Sequence, residues 1–262
     1  MKQNEFFKKK MVIGMVHLDP LPGNASYKGN KDEIIANAVR DAHTLIDCGC
    51  DAIMVENFSD WPQYSTEVPL EGYSVQLVAA AKIKEFCPVP FGINIEMNAW
   101  KQEWIMAYSL NADFIRVEAF VDNRAGSFGY IEGCSTGMMN LMAQLPSPET
   151  MIFADVHTQE TYGMPDVPIN ELAGNARNHD ASAVVVTEND QCRRITVEDV
   201  KSMREVMGDF PIIVGSGVKP ENVLDYMEYA DAVIVGRGFK KDHKVDPDLV
   251  KEFMAIVRSK YN

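Results

Sequence analysis

Ionisable side chains gather at the ends of short apolar runs. FGINIE (91–96), FIRVEAF (114–120) and MIFADVH (151–157) close on Asn94 and Glu96, Arg116 and Glu118, and Asp155 and His157. In each pair the residues are two apart, the spacing that puts side chains on one face of a β-strand. MVIGMVHL (11–18) adds His17, AIMVENF (52–58) adds Glu56 or Asn57, and SAVVVTE (182–188) adds Thr187 or Glu188. Carboxylates with imidazoles and a guanidinium are the groups of acid–base catalysis. Asp155 is expected as the general base, His157 or His17 as its acid partner, Glu118 as an orienting carboxylate, and Arg116 as the stabiliser of developing negative charge. Glu56, Asn94 and Thr187 are expected to hold substrate. Structural alternatives exist: His17 as a satisfied core histidine, Arg116 and Glu118 as an internal salt bridge. Convergence favours function, because six or more ionisable groups at one end of a fold are costly unless solvated, paired or ligand-bound.

A second signal lies near the end of the chain. IIVGSGVKPENV places Gly215, Ser216 and Gly217 between a strand and a helix expected to start at Pro220; DAVIVGRGF places Gly236, Arg237 and Gly238 after the next strand. Without a Cβ in the way, backbone N–H groups can approach a phosphate, and Arg237 and the Ser216 hydroxyl add a charge and a donor. The alternative is a pair of tight turns with no ligand. No cofactor is required by these residues. A divalent metal is an open option, since Glu118, Asp155 and His157 offer oxygen and nitrogen ligands, and with it a metal-dependent hydrolase of a phosphate ester or glycosidic bond. A Schiff-base aldolase is disfavoured: Lys219, Lys240 and Lys241 fall in loops beyond the glycine turns rather than at strand ends.

These residues need a frame. Eight β-branched-rich runs (11–18, 52–58, 91–96, 114–120, 151–157, 182–188, 211–217, 231–238) alternate with segments of helical period at 31–48, 73–86, 99–110, 136–145, 169–179, 196–207, 220–229 and 247–260. Strands separated by helices must run parallel. The order predicts an α/β fold, a single (β/α)8 TIM barrel over 1–262 with a short extension at 1–10, whose chemistry lies at the C-terminal strand ends. An open doubly wound sheet is the alternative, but HLDPLPGNASYKGN stands where its GxGxxG would be. Thr196 with Asp199 resembles a capping box, Pro220 with Glu221 suits a first helical turn, and Gly49 and Gly208 suit helix ends.

Composition narrows the partners. Thirty-eight acidic against 25 basic residues, a net charge of −13, disfavour nucleic acid and anionic membrane surfaces. They do not disfavour a phosphorylated small molecule held by local N–H groups. Five cysteines without CxxC spacing suggest neither a disulfide scaffold nor structural zinc. With no signal peptide or membrane span in the sequence, the expected location is cytoplasmic, and the expected assembly a homo-oligomer.

GMVHLDPLPG (14–23), AIMVENFSD (52–60), ADVH (154–157), GSGVKPENV (215–223) and DAVIVGRGF (231–239) together resemble the BtpA/SgcQ family of TIM-barrel proteins, from about Met11 to Arg258. More distantly, the glycine turns look like those of the ribulose-phosphate-binding barrels. The resemblance implies the barrel and its phosphate cup but brings no catalytic residues with it. The family name points to photosystem I biogenesis, and other members look like parts of sugar-utilisation operons. The leading expectation is an enzyme acting on a phosphorylated sugar or nucleotide-like metabolite by isomerase or lyase chemistry. The alternatives are an assembly factor for a membrane complex, its FFKKK start (6–10) touching a surface, and a ligand-binding regulator.

Overall fold

Alternate residues of the apolar runs go to two different interiors. Met11, Ile13 and Met15 pack with Ala52, Met54, Phe114, Phe153, Val185, Ile213 and Ile234 in one cluster, while Val12, Val16, Ile53, Val55 and Val184 join helix residues in another. This is the pattern of strands closed into a ring, with one face of each turned to the axis and the other covered by helices.

The computed structural model describes residues 2–164, 167–188 and 193–261. In chain order these form α1 (Gln3–Phe6), β1 (Met11–His17), α2 (Lys31–Asp47), β2 (Ala52–Glu56), α3 (Leu70–Phe86), β3 (Phe91–Asn94), α4 (Trp100–Leu110), β4 (Phe114–Val117), β5 (Arg124–Gly126) and β6 (Gly129–Ile131). They continue as α5 (Ser135–Gln144), β7 (Met151–Val156), β8 (Thr161–Gly163), α6 (Ile169–Asn178), β9 (Ala183–Val186), α7 (Val197–Met207), β10 (Ile212–Val214), α8 (Val223–Tyr229), β11 (Ala232–Val235), β12 (Lys240–Lys241), β13 (Lys244–Val245) and α9 (Pro247–Lys260). Strands β1, β2, β3, β4, β7, β9, β10 and β11 make a closed barrel, each parallel to its neighbours, with β11 pairing back to β1. The expected (β/α)8 barrel is therefore the observed one, and each expected strand and helix has its counterpart.

Local signals work as their chemistry dictates. Thr196 Oγ1 accepts from the Asp199 amide at 3.2 Å and Asp199 Oδ2 accepts from the Thr196 amide at 2.8 Å, a reciprocal cap at the start of α7. Gly49 and Gly208, at φ 89° and 59°, follow α2 and α7 in the left-handed region. Pro220 is a correction: α8 begins three residues later, after a turn in which the Asn222 and Val223 amides donate to the Lys219 carbonyl.

The first ten residues also differ from expectation. Phe6 is buried, its ring 5.5 Å from those of Phe114 and Phe153 in edge-on contacts, so it stoppers the N-terminal end of the barrel. Gly92 makes room for the same plug: a Cβ there would stand 2.0 Å from the Phe114 ring. Of FFKKK, one aromatic is thus inside the molecule and Phe7 packs against the same cluster. The loops after β4 and β7 contribute an antiparallel sheet in the order β6, β5, β8, which the apolar pattern does not announce. Cys48, Cys50, Cys87 and Cys134 are free thiols, and Cys192 lies outside the described residues. No helix among the described residues is long and apolar enough to cross a membrane.

Candidate active site

Above the apolar layer the inward positions turn polar. His17 ends β1, Glu56 ends β2, Arg116 lies in β4 with Glu118 just beyond it, and Glu96 follows β3 by two residues. These five line a cavity of 340 Å³ at the C-terminal mouth, together with Gly215, Ser216 and Gly217 after β10 and Gly236, Arg237 and Gly238 after β11. The carboxylates and Arg116 form its floor; the glycine turns form one wall.

Arg116 is the floor's fixed charge. Its Nε and Nη2 donate to the two oxygens of Asp155, each at 2.9 Å, and its Nη1 lies 3.5 Å from Glu56 Oε1. Burial opposes the guanidinium charge, but Asp155, Glu56 and Glu118 outweigh it and hold the group protonated. Arg116, joined at Glu56 by the pull of Lys240, does not offset the burial of these acids. Burial pushes Glu56 up to about 7 against the pull of Arg116, and burial with the nearby Glu56 charge pushes Glu96 up to about 8. Glu118 is raised well above the carboxylate range, again by burial. His17, 3.2 Å from Glu56 Oε2, is held well below the usual imidazole range by burial and by Lys240, Arg237 and Arg116, so it is neutral.

Positioning is visible bond by bond. Asn57 clamps the backbone of Glu96, its Oδ1 accepting from the Glu96 amide at 2.8 Å and its Nδ2 donating to the Glu96 carbonyl at 3.3 Å. Gln63 Nε2 donates to Glu96 Oε2 at 2.7 Å. Asn94 donates to Glu118 Oε1 at 2.7 Å. His17 stacks on Phe58 at 4.3 Å, and the Arg237 guanidinium lies 5.9 Å from the same ring.

The glycine wall is built by contact as well as by conformation. A Cβ at Gly236 would stand 2.6 Å from His17 Cε1, and one at Gly217, where φ is 74°, would stand 2.4 Å from Arg194 Cδ. Glycine is what lets an imidazole and an arginine pack against these turns. Arg194 and Lys219 line the wall beside Arg237, and Ser216 Oγ accepts from Gln159 Nε2 at 2.7 Å.

Four expected residues stand off the cavity. Asp155 is fully buried beneath Arg116 with both oxygens engaged. Asn94 is buried with its amide spent on Glu118 and the Arg116 carbonyl. Thr187 donates to the His157 carbonyl at 2.9 Å. His157 departs from the alternation because β7 has ended: at φ 54° the chain turns, and its Nε2 meets the Val167 carbonyl at 2.9 Å. Accordingly the expected metal trio of Glu118, Asp155 and His157 does not assemble; Glu56, Glu96 and Glu118 bring one oxygen each within 4.8 Å of one another. Arg194, Gln63 and Gln159, and Lys219 from its loop beyond the glycine turns, line the cavity as well, outside the expected set of site residues. Arg194 and Lys219 share one sequence signal, a cation in a loop that follows a barrel strand.

The same architecture recurs in known proteins. The model of the BtpA family matches residues 8–259. An uncharacterized protein of Methanocaldococcus jannaschii is 37% identical over 243 residues, covering 93% of this chain and 92% of its own. The photosystem I biogenesis protein BtpA of Synechocystis is 27% identical, covering 93% and 86%. Among solved structures, thiamine phosphate pyrophosphorylase from Pyrococcus furiosus superposes with a TM-score of 0.61 at 14% identity, covering 98% of each chain. N-(5'-phosphoribosyl)anthranilate isomerase from the same organism superposes at 0.58 and 16%, covering 95% of this chain and 99% of its own.

Proposed function

The chain belongs to the BtpA family, and we propose that it is an enzyme that grips a phosphorylated sugar or nucleotide-like metabolite by the glycine turns and moves a proton at the substrate's other end. The observation that carries this reading is the polarity of one cavity: Arg194, Lys219 and Arg237 with two glycine turns on one wall, and Glu56, Glu96 and Glu118 on the floor. A cavity of 340 Å³ suits a small metabolite. A phosphate held on the wall fixes the remaining carbons over the floor, and that fixed geometry is what makes proton transfer fast.

His17 is the proton carrier in this reading. Its neutral imidazole lines the cavity, and Glu56 beside it orients the ring and stabilises the imidazolium that forms when a proton is taken. Glu96 and Glu118 meet the substrate's oxygens. Asp155 acts through Arg116 and Asn94 through Glu118, both as positioning residues, while Thr187 and His157 secure the loop after β7. A proton removed at one carbon and returned at another is isomerisation; the same removal followed by departure of a group from the neighbouring carbon, protonated as it leaves, is lyase chemistry. The assembly-factor alternative rests on the family name and on the relative that carries it; burial of Phe6 takes one residue of the FFKKK start away from any outside surface, while Lys8 and Lys9 stay exposed.

Two measurements test the proposal. Phosphorylated sugars are expected to raise the melting temperature where their dephosphorylated counterparts do not, and Gly238→Asp, which sets a carboxylate in the wall, is expected to abolish the shift. Compounds that bind are then incubated in deuterated water, where uptake of deuterium at carbon should occur with the natural chain and fail in His17→Asn. If no phosphorylated compound stabilises more than its dephosphorylated partner, the reading is wrong.

A further inference from the structure

Three carboxylates from successive strand ends, β2, β3 and β4, converge on the cavity floor with one oxygen each within 4.8 Å of one another. The neighbouring cation does not answer them. Arg116 gives two of its donors to Asp155 and approaches only Glu56, at 3.5 Å. Most carboxylate oxygens of the cluster still find a neighbour: Glu56 Oε2 faces His17, Glu96 Oε2 takes Gln63, and Glu118 Oε1 takes Asn94. Glu118 Oε2 does not. It is buried, in a residue 2% exposed, with no hydrogen-bond partner. A buried acceptor left this way is destabilising, the more so when it is charged. A proton placed on it would want an acceptor in turn. The other buried carboxylate oxygen left without a partner nearby, Glu103 Oε1, belongs to α4 and not to the cluster; a cation held among the three floor carboxylates would give Glu118 the partner it lacks.

We propose that Glu56, Glu96 and Glu118 bind one hard divalent cation of the Mg²⁺ or Mn²⁺ class, open toward the cavity so that its remaining positions go to water and to an oxygen of the substrate. With separations of 4.8 Å or less, some point lies within about 2.8 Å of all three oxygens, and shifts of about 0.7 Å bring them to the ~2.1 Å such ions require. An all-carboxylate set selects hard cations over zinc or copper. His17, against Glu56, then stands as an outer partner that fixes a ligating carboxylate. This deepens the proposed function by naming what receives the substrate's oxygen end, and it rests on that reading only for the identity of the molecule that completes the coordination.

Manganese binding to chelator-stripped protein, followed by the loss of the free-ion paramagnetic resonance signal, tests the site without substrate. One saturable Mn²⁺ per chain is expected, displaced by Mg²⁺, with affinity at least tenfold weaker in Glu118→Gln. Glu96→Gln, at a half-buried position, should show the same loss and serves if the Glu118 variant does not fold. Gly238→Asp should keep the Mn²⁺ while losing any phosphate response, which separates failure of this site from failure of the phosphate wall. Absence of saturable binding, displacement by zinc but not magnesium, or unchanged affinity in a folded glutamine variant would each overturn the proposal.

Discussion

Asp155 and Arg116 show how one residue's role depends on its neighbour. A lone buried aspartate under a barrel mouth reads as a base, but here both of its oxygens are committed to one guanidinium at 2.9 Å. Burial raises the Asp155 carboxyl and Arg116 pulls it back, so the pair is an ion pair whose members need each other. Removing Asp155 strips the buried guanidinium of its two 2.9 Å carboxylate bonds and leaves Glu56, at 3.5 Å, as its nearest partner. Asp155→Asn is therefore expected to cost about 3–5 kcal/mol of folding stability, read as a lower urea midpoint. A general base replaced by its isostere would instead lose activity with the midpoint intact. The two roles make opposite predictions for a single titration, and the bidentate geometry sides with the first.

At the scale of elements, the barrel was readable because each strand is apolar on both faces and each helix has its own period, a pattern few folds share. The mouth is legible only in part, because strand membership alone does not decide it: Asn94 and Asp155 lie within β3 and β7 yet are spent on Glu118 and Arg116 below the cavity. Glu56 and Arg116 lie within β2 and β4, where alternation holds, and both reach the site. His157 lies one residue past β7, where a positive φ sends the side chain away from the cavity. Glu96 also lies past its strand, yet it reaches the cavity because Asn57 holds its backbone from a neighbouring loop. No local pattern encodes such a bond. The same limit explains Phe6, which closes the barrel from a segment with no periodicity of its own. Phe6→Ala should cost about 3–5 kcal/mol by leaving a cavity between Phe114 and Phe153, measured as a lower unfolding midpoint. An unchanged midpoint would mean that the extension only rests on the barrel.

For the whole molecule, the net charge of −13 and the carboxylate floor combine in one titration. In the unfolded chain Glu56 and Glu96 lose their protons near 4.5; in the folded protein burial holds them until about 7 and 8. Between these limits the folded state binds more protons than the unfolded one, so stability falls as pH rises through the window. For displacements of this size the penalty is on the order of 3 kcal/mol per group, and less than additive because the two interact. Without metal, the melting temperature is expected to drop by about 10 °C between pH 5 and 8. Repulsion among surface acids would also lower stability with pH, but it is spread over many groups. Glu96→Gln separates the causes: it removes one charge from a large excess, and it should remove a third or more of the slope if the floor is responsible. A slope that survives unchanged in this variant would place the effect on the surface and leave the floor solvated. Saturating Mn²⁺ offers the complementary measurement, since a cation that replaces the floor's protons should flatten the same slope in the natural chain and have less effect in Glu96→Gln.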